Sequence, residues 1–133
     1  MEAVAAKLVE LSPGFHGKVT HKIENGVVTE LRFEAVKDIS PVQALTSLRS
    51  LDCHYSRIAD LSPLKGLKLT SLKCYGTQVS DLSPLKDMKL TTLDCGGTRV
   101  ADLSPLKGMM LTSLGFAETQ VSDLSPLKGM KLT

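Results

Sequence analysis

From residue 48 to the end of the chain, apolar residues recur in one fixed pattern. Leu48, Leu51 and Cys53 are followed by Leu69, Leu72 and Cys74, then by Leu90, Leu93 and Cys95, then by Leu111, Leu114 and Phe116, each set 21 residues after the last. Side chains alternate between faces along a strand, so the second leucine and the residue two places on point inward, and the residue between them points out. Each set is followed by the phrase Asp-Leu-Ser-Pro-Leu, beginning at Asp60, Asp81, Asp102 and Asp123. A period in the twenties with leucines at set places predicts a solenoid in which every coil adds one short strand to a shared parallel sheet.

The polar positions complete the coil. Ser followed by Pro suits the start of a short helical or 3-10 turn, because the Ser oxygen can cap free amides and Pro has no amide to lose. Pro63, Pro84, Pro105 and Pro126 are therefore expected to turn the chain along the convex side. Gly66, Gly108 and Gly129 sit where a left-handed residue would end that turn, and Asp87 takes the place in one copy. The repeated aspartate is expected to satisfy backbone amides with its side-chain oxygen, since a solenoid loop has polar backbone that needs partners.

The first part of the chain does not repeat. Residues 2–11 predict an amphipathic helix with Val4, Leu8 and Leu11 on one face, stopped by Ser12-Pro13-Gly14. Residues 18–24 and 27–33 alternate apolar and polar around Asn25-Gly26, a hairpin signal. A helix and hairpin ahead of a solenoid would cover the apolar cross-section of its first coil. Asp38-Ile-Ser-Pro-Val42 is a degenerate copy of the repeated phrase, making residues 28–47 a lead-in coil with Leu31 and Phe33 inward. Residues 1–47 thus form cap and lead-in coil, and 48–133 four repeats of the same structural domain.

The repeat resembles the leucine-rich-repeat pattern Leu-x-x-Leu-x-Leu, with cysteine in the last apolar place. Thr77, Thr98, Thr119 or Ser56 stands where that family usually has asparagine. The match covers residues 48–133. Its short form with Asp-Leu-Ser-Pro-Leu resembles the bacterial, internalin-like type, and its uniform wording is similar to tandem repeats of planctomycete proteins. The resemblance implies an α/β, right-handed solenoid with a parallel sheet on its concave face, and a binding role, often toward proteins. By analogy with that family the array could regulate a larger enzyme such as a kinase, but nothing in these residues would perform such chemistry.

The chain stops at Lys131-Leu132-Thr133, the opening of another strand, and no polar cap follows. Such an end is expected to expose Leu111, Leu114, Phe116, Leu127, Met130 and Leu132 and to favour pairing with a second copy. A fragment of a longer array, a self-associating protein and a chain assembled from consensus-like units all fit the near-identity of the copies.

Composition narrows the function. With a formal net charge of +2 and no Lys/Arg run interleaved with aromatics, nucleic acid is not expected as a partner. No transmembrane segment or signal peptide is visible, and a membrane is not expected either. Cys53, Cys74 and Cys95 are spaced by the repeat itself, and Phe116 fills the same place in the next copy, so they read as a buried core ladder and not as metal ligands or a disulfide. Free thiols favour a reducing compartment, the cytoplasm among them. His16, His21 and His54 are scattered, and no phosphate loop or nucleophile–base motif occurs. No enzyme activity and no cofactor are expected.

The outward sheet positions differ between copies while the frame stays constant. One row presents Arg32, Asp52, Lys73, Asp94 and Gly115, alternating in sign as a charge ladder would. The next carries Glu34, His54, Tyr75, Gly96 and Ala117, and a third contains Tyr55, Gly76, Gly97 and Glu118. Tyrosine on a rigid exposed sheet is a common interface anchor. His54, Tyr55 and Tyr75, flanked by Arg57 and Arg99 and bordered by Asp52, Lys73 and Asp94, form the candidate binding patch. The leading expectation is a non-catalytic module that presents this face to a protein partner; the alternative is a self-associating structural or engineered scaffold joined through the C-terminal end.

Overall fold

The computed structural model describes residues 2–11 and 18–133, so the Ser12-Pro13-Gly14 stop and His16 lie outside the described residues. A helix α1 (Glu2–Glu10) precedes a hairpin of β1 (Thr20–Glu24) and β2 (Val27–Arg32) turned at Asn25-Gly26. Four three-residue strands follow: β3 (Ser50–Asp52), β4 (Ser71–Lys73), β5 (Thr92–Asp94) and β6 (Ser113–Gly115). They stack in chain order into one sheet, antiparallel only between β1 and β2. The register runs Leu31, Leu51, Leu72, Leu93, Leu114, straight across the stack. This is the α/β repeat solenoid with helix and hairpin cap that the apolar pattern predicts.

The hydrogen bonding between coils runs on past both ends of the short strands. Cys53, Cys74 and Cys95 donate their amides to the carbonyls of Lys73, Asp94 and Gly115 in the next coil, each at 2.8 Å. On the way into the strand, Thr70, Thr91 and Thr112 donate back one coil to Arg49, Thr70 and Thr91, again at 2.8 Å. Inside, the stacked leucines and cysteines form one continuous core in which Leu51, Leu72, Leu93, Cys53, Cys74 and Cys95 have no solvent exposure. The cap joins that core through Leu8 of α1 and through Val28, Leu31 and Phe33.

On the convex side, each coil makes a 3-10 turn over its Ser-Pro-Leu, at Ser62–Leu64, Ser83–Leu85, Ser104–Leu106 and Ser125–Leu127. The sequence suggested serine as the capping acceptor; the structure gives that role to aspartate. The residue before each turn is a leucine and offers no side-chain cap. The aspartate one place earlier reaches over it, and Asp60, Asp81 and Asp102 accept the amides of Ser62, Ser83 and Ser104 at 2.8 Å, with Asp123 at 2.9 Å from that of Ser125. The Ser62 and Ser104 hydroxyls donate to the second carboxylate oxygen of Asp60 and Asp102. Gly66 (φ +86°) and Asp87 (φ +63°) both take the left-handed conformation that closes the turn. Where asparagine was missing, Thr77, Thr98 and Thr119 turn their hydroxyls onto the carbonyls of Cys74, Cys95 and Phe116, at 2.8, 2.6 and 2.6 Å.

Of the residues expected at the open end, Leu111 is only 1% exposed and belongs to the core, because the last coil lies over it. Leu114, Phe116, Leu127 and Met130 are half-buried against that core, and Leu132 is exposed.

Burial dominates the thiols, pushing Cys53 up to about 12 and Cys95 up to about 11, and Cys74 well above its usual range. The folded thiols hold their protons where unfolded ones lose them, so stability is complete below the ordinary value of 9.0 and falls as pH rises through and above it. A thiol reagent at neutral pH should therefore leave the folded chain unmodified and titrate all three cysteines in guanidinium.

The carboxyls of Asp60, Asp81 and Asp123 lie below their ordinary value of 3.8, first because of the backbone hydrogen bond from Ser62, Ser83 or Ser125. A depressed folded value means stability present above that pH and lost as pH falls below it. Thermal melts from neutral pH down to acid should show this loss, and replacing the three aspartates with asparagine should flatten it.

Candidate protein-interaction surface

Just past each strand, the chain turns through one residue in the left-handed conformation: Ala35 (φ +59°), Tyr55 (φ +53°), Gly76 (φ +68°), Gly97 (φ +62°) and Glu118 (φ +57°). Glycine adopts this freely, whereas a residue with a Cβ pays about 1–2 kcal/mol. Tyr55 holds it nonetheless, anchored by its amide on the Tyr75 carbonyl at 2.8 Å, and its side chain is 62% exposed. An exposed aromatic at a strained turn is a surface device and not a core residue.

The two tyrosines lean toward the C-terminal coils, each over glycine. A Cβ on Gly76 would lie 2.7 Å from Tyr55 Cδ1, and one on Gly96 would lie 3.0 Å from Tyr75 Cδ2. The rings of Tyr55 and Tyr75 meet edge to face with centroids 5.5 Å apart, and His54 meets Tyr55 in the same way at 5.2 Å. His54, Tyr55 and Tyr75 are thus brought together as one aromatic strip whose tyrosine rings rest on Gly76, Gly96 and Gly97.

His54 supports this strip from inside a closed network. Its Nε2 lies 2.9 Å from Glu34 Oε1, its Nδ1 is hydrogen-bonded to Asp52 Oδ1, and Arg32 approaches both carboxylates, 3.6 Å from Glu34 and 3.9 Å from Asp52. The predicted alternating ladder is therefore realised at one rung only. Asp52 turns away from Lys73 to bind His54, and Asp94 turns to accept the Gly96 amide at 3.1 Å, leaning into the space that Gly115 leaves. Lys73 has no ion pair among the described residues, and with Arg32, Asp52 and Ser71 it lines a shallow depression of about 340 Å³ nearer the cap.

The two arginines expected beside the tyrosines stand elsewhere. Arg57 follows the buried Ser56 and lies on the descending side of the coil, in a groove with Leu11, Lys37 and Asp60. Arg99 is exposed on the same descending row, its amide bound to the Val79 carbonyl. Glu118, which the sequence placed in the row without a role, belongs to the site. Its carboxylate, two coils beyond Tyr75, is the main influence raising that phenol above its ordinary value, followed by burial and Tyr55. The signal was available: Glu118 occupies the left-handed place that glycine holds in the two preceding copies. The strip thus has an aromatic start, a glycine floor and an acidic far end. Among the described residues, no group of three or more His, Cys, Asp or Glu is arranged to hold a metal ion.

No protein-family model matches the chain, and no curated protein sequence matches it. Among solved structures, an internalin (inlF) of Listeria monocytogenes is similar at 32% identity and a TM-score of 0.76, over 79% of this chain and 33% of that one. Internalin C2 of the same organism is similar at 34% identity and a TM-score of 0.71, over 74% of this chain and 45% of that one. This chain spans less than half the length of either structure.

With only two tyrosines in the chain, the Tyr75–Glu118 link can be read directly. Alkaline titration of tyrosinate absorbance should show one phenol above the ordinary 10.0, and Glu118→Gln should bring it down.

Proposed function

The chain is a leucine-rich-repeat solenoid of the bacterial, internalin-like kind, and from that premise we propose that it is a protein-interaction module whose partner docks on the strip of Tyr55 and Tyr75. The observation that carries this reading is Tyr55 itself, 62% exposed in a left-handed turn that costs conformational energy and gives the core nothing. Its edge-to-face packing on Tyr75 and the network around His54 hold the rings before a partner arrives, so little ordering entropy remains to oppose binding. The glycines beneath give the rings room to rest against the next coil, which fixes their position. The acidic end at Glu118, with Asp94 nearby, favours a partner segment that carries a cation next to an apolar residue, suited to cation–π contact with tyrosine. Three unpaired buried thiols support a reducing compartment as its setting.

Peptides selected from a random display library on the intact chain provide the test. The Tyr55→Ala, Tyr75→Ala double variant should bind the selected peptides at least ~30-fold more weakly, as central aromatic anchors do. Equal affinity in the double variant would remove the strip as the binding site.

A further inference from the structure

A second surface exists only in the folded chain. Each coil leaves its 3-10 turn through a lysine, and stacking sets Lys65, Lys86, Lys107 and Lys128 in one row. Three residues further on, Lys68, Lys89 and Lys131 form a second row beside it, with Met110 in the remaining place. All seven lysines are exposed, and none is in an ion pair among the described residues. Asp87 is the one acid inserted between the rows; the aspartates before the prolines accept the serine amides and keep their charge, and Asp102 and Asp123 line a groove with Lys107 and Lys128. The two rows themselves thus set seven ammonium groups against the single carboxylate of Asp87, with the ionised aspartates before the prolines along their border.

Met110 gives this edge an apolar centre. It is 85% exposed, the most exposed of the large apolar side chains among the described residues, and stands between two clefts of about 550 and 430 Å³. The first is lined by Met88, Lys89 and Lys107, the second by Met109, Lys128 and Lys131. Met88 and Met109 lie just beneath the surface, 8% and 9% exposed.

We infer that this lysine edge docks on the surface of a bilayer containing anionic lipid, with the ammonium groups at the headgroups and Met110 entering the acyl boundary. Lysine supplies point charge on a flexible stem that can lie along apolar surface while its head stays at the interface. Arginine, the better residue for planar phosphate and base recognition, is absent from both rows, and no aromatic side chain stands there to stack on bases. An exposed methionine in the middle of the charge adds nothing toward a phosphate backbone and adds buried area toward lipid. The expectation from sequence set membranes aside for want of a spanning segment, and no described helix is long and apolar enough to span one; surface attachment needs none.

The intact chain would be sedimented with phosphatidylcholine vesicles containing about 30% phosphatidylserine, with pure phosphatidylcholine vesicles, and mixed with a single-stranded oligonucleotide as a linear polyanion. Binding to the anionic vesicles alone, weakened by salt, is expected. At roughly fivefold per lysine, the Lys86→Gln, Lys107→Gln pair should lower vesicle partition by ~25-fold. Met110→Ser should lower it severalfold with the charge unchanged, and Tyr55→Ala, Tyr75→Ala should leave it unaltered, which separates this edge from the aromatic strip. Circular dichroism confirms that each variant remains folded. Absence of binding to anionic vesicles overturns the inference, as does tighter binding to the oligonucleotide that ignores Met110→Ser.

Discussion

A coil of this solenoid cannot satisfy its own backbone. The amides of Cys53, Cys74 and Cys95 find acceptors only in the following coil, and those of Thr70, Thr91 and Thr112 only in the preceding one. In a buried stack an unpaired amide is expensive, so every coil must present its groups at the same height and in the same order as its neighbours. That requirement explains the strict 21-residue period and the straight register of leucines across the sheet. It also explains why aspartate is repeated so faithfully: the 3-10 turn exposes a serine amide in every coil, and the acceptor must come from the same coil.

The same constraint creates the aromatic strip. After the strand the backbone must bend sharply to re-enter the convex side, and the bend falls on one left-handed residue per coil. Glycine is the easy occupant, and its lack of a side chain opens a shallow floor. Where tyrosine takes the place instead, the turn's geometry throws the ring outward, and the ring comes to rest over the next coil's glycine. The aromatic strip and the backbone geometry are thus one feature seen from two sides.

Much of this was legible in the sequence because it depends on spacing. Leucine intervals gave the strands, Asn25-Gly26 the hairpin, and the left-handed closures at Gly66 and Asp87 followed from their place after proline. What escaped depends on choices made by individual polar side chains. Asp52 could have paired with Lys73 or with His54, and only the short sequence separation to His54 and the proximity of Glu34 and Arg32 decide it. Arg57 reads as adjacent to Tyr55, yet the coil turns inward at Ser56 between them and sends the two to different sides. The lysine rows escaped for another reason: no linear run of basic residues exists, and the charge density appears only when the period is wound into a stack.

Tyr75 makes one final point about how such a chain can change. Its ring rests over Gly96 in the neighbouring coil, lies close to Gly97, and is influenced by Glu118 in the coil after that. A single repeat is therefore not a free-standing cassette for duplication or exchange. Recombination that inserts a new coil behind Tyr75 preserves the strip only if the newcomer brings a glycine pair at the matching places, so the heritable unit of the strip is a tyrosine-bearing coil together with the glycine-bearing coil that follows it.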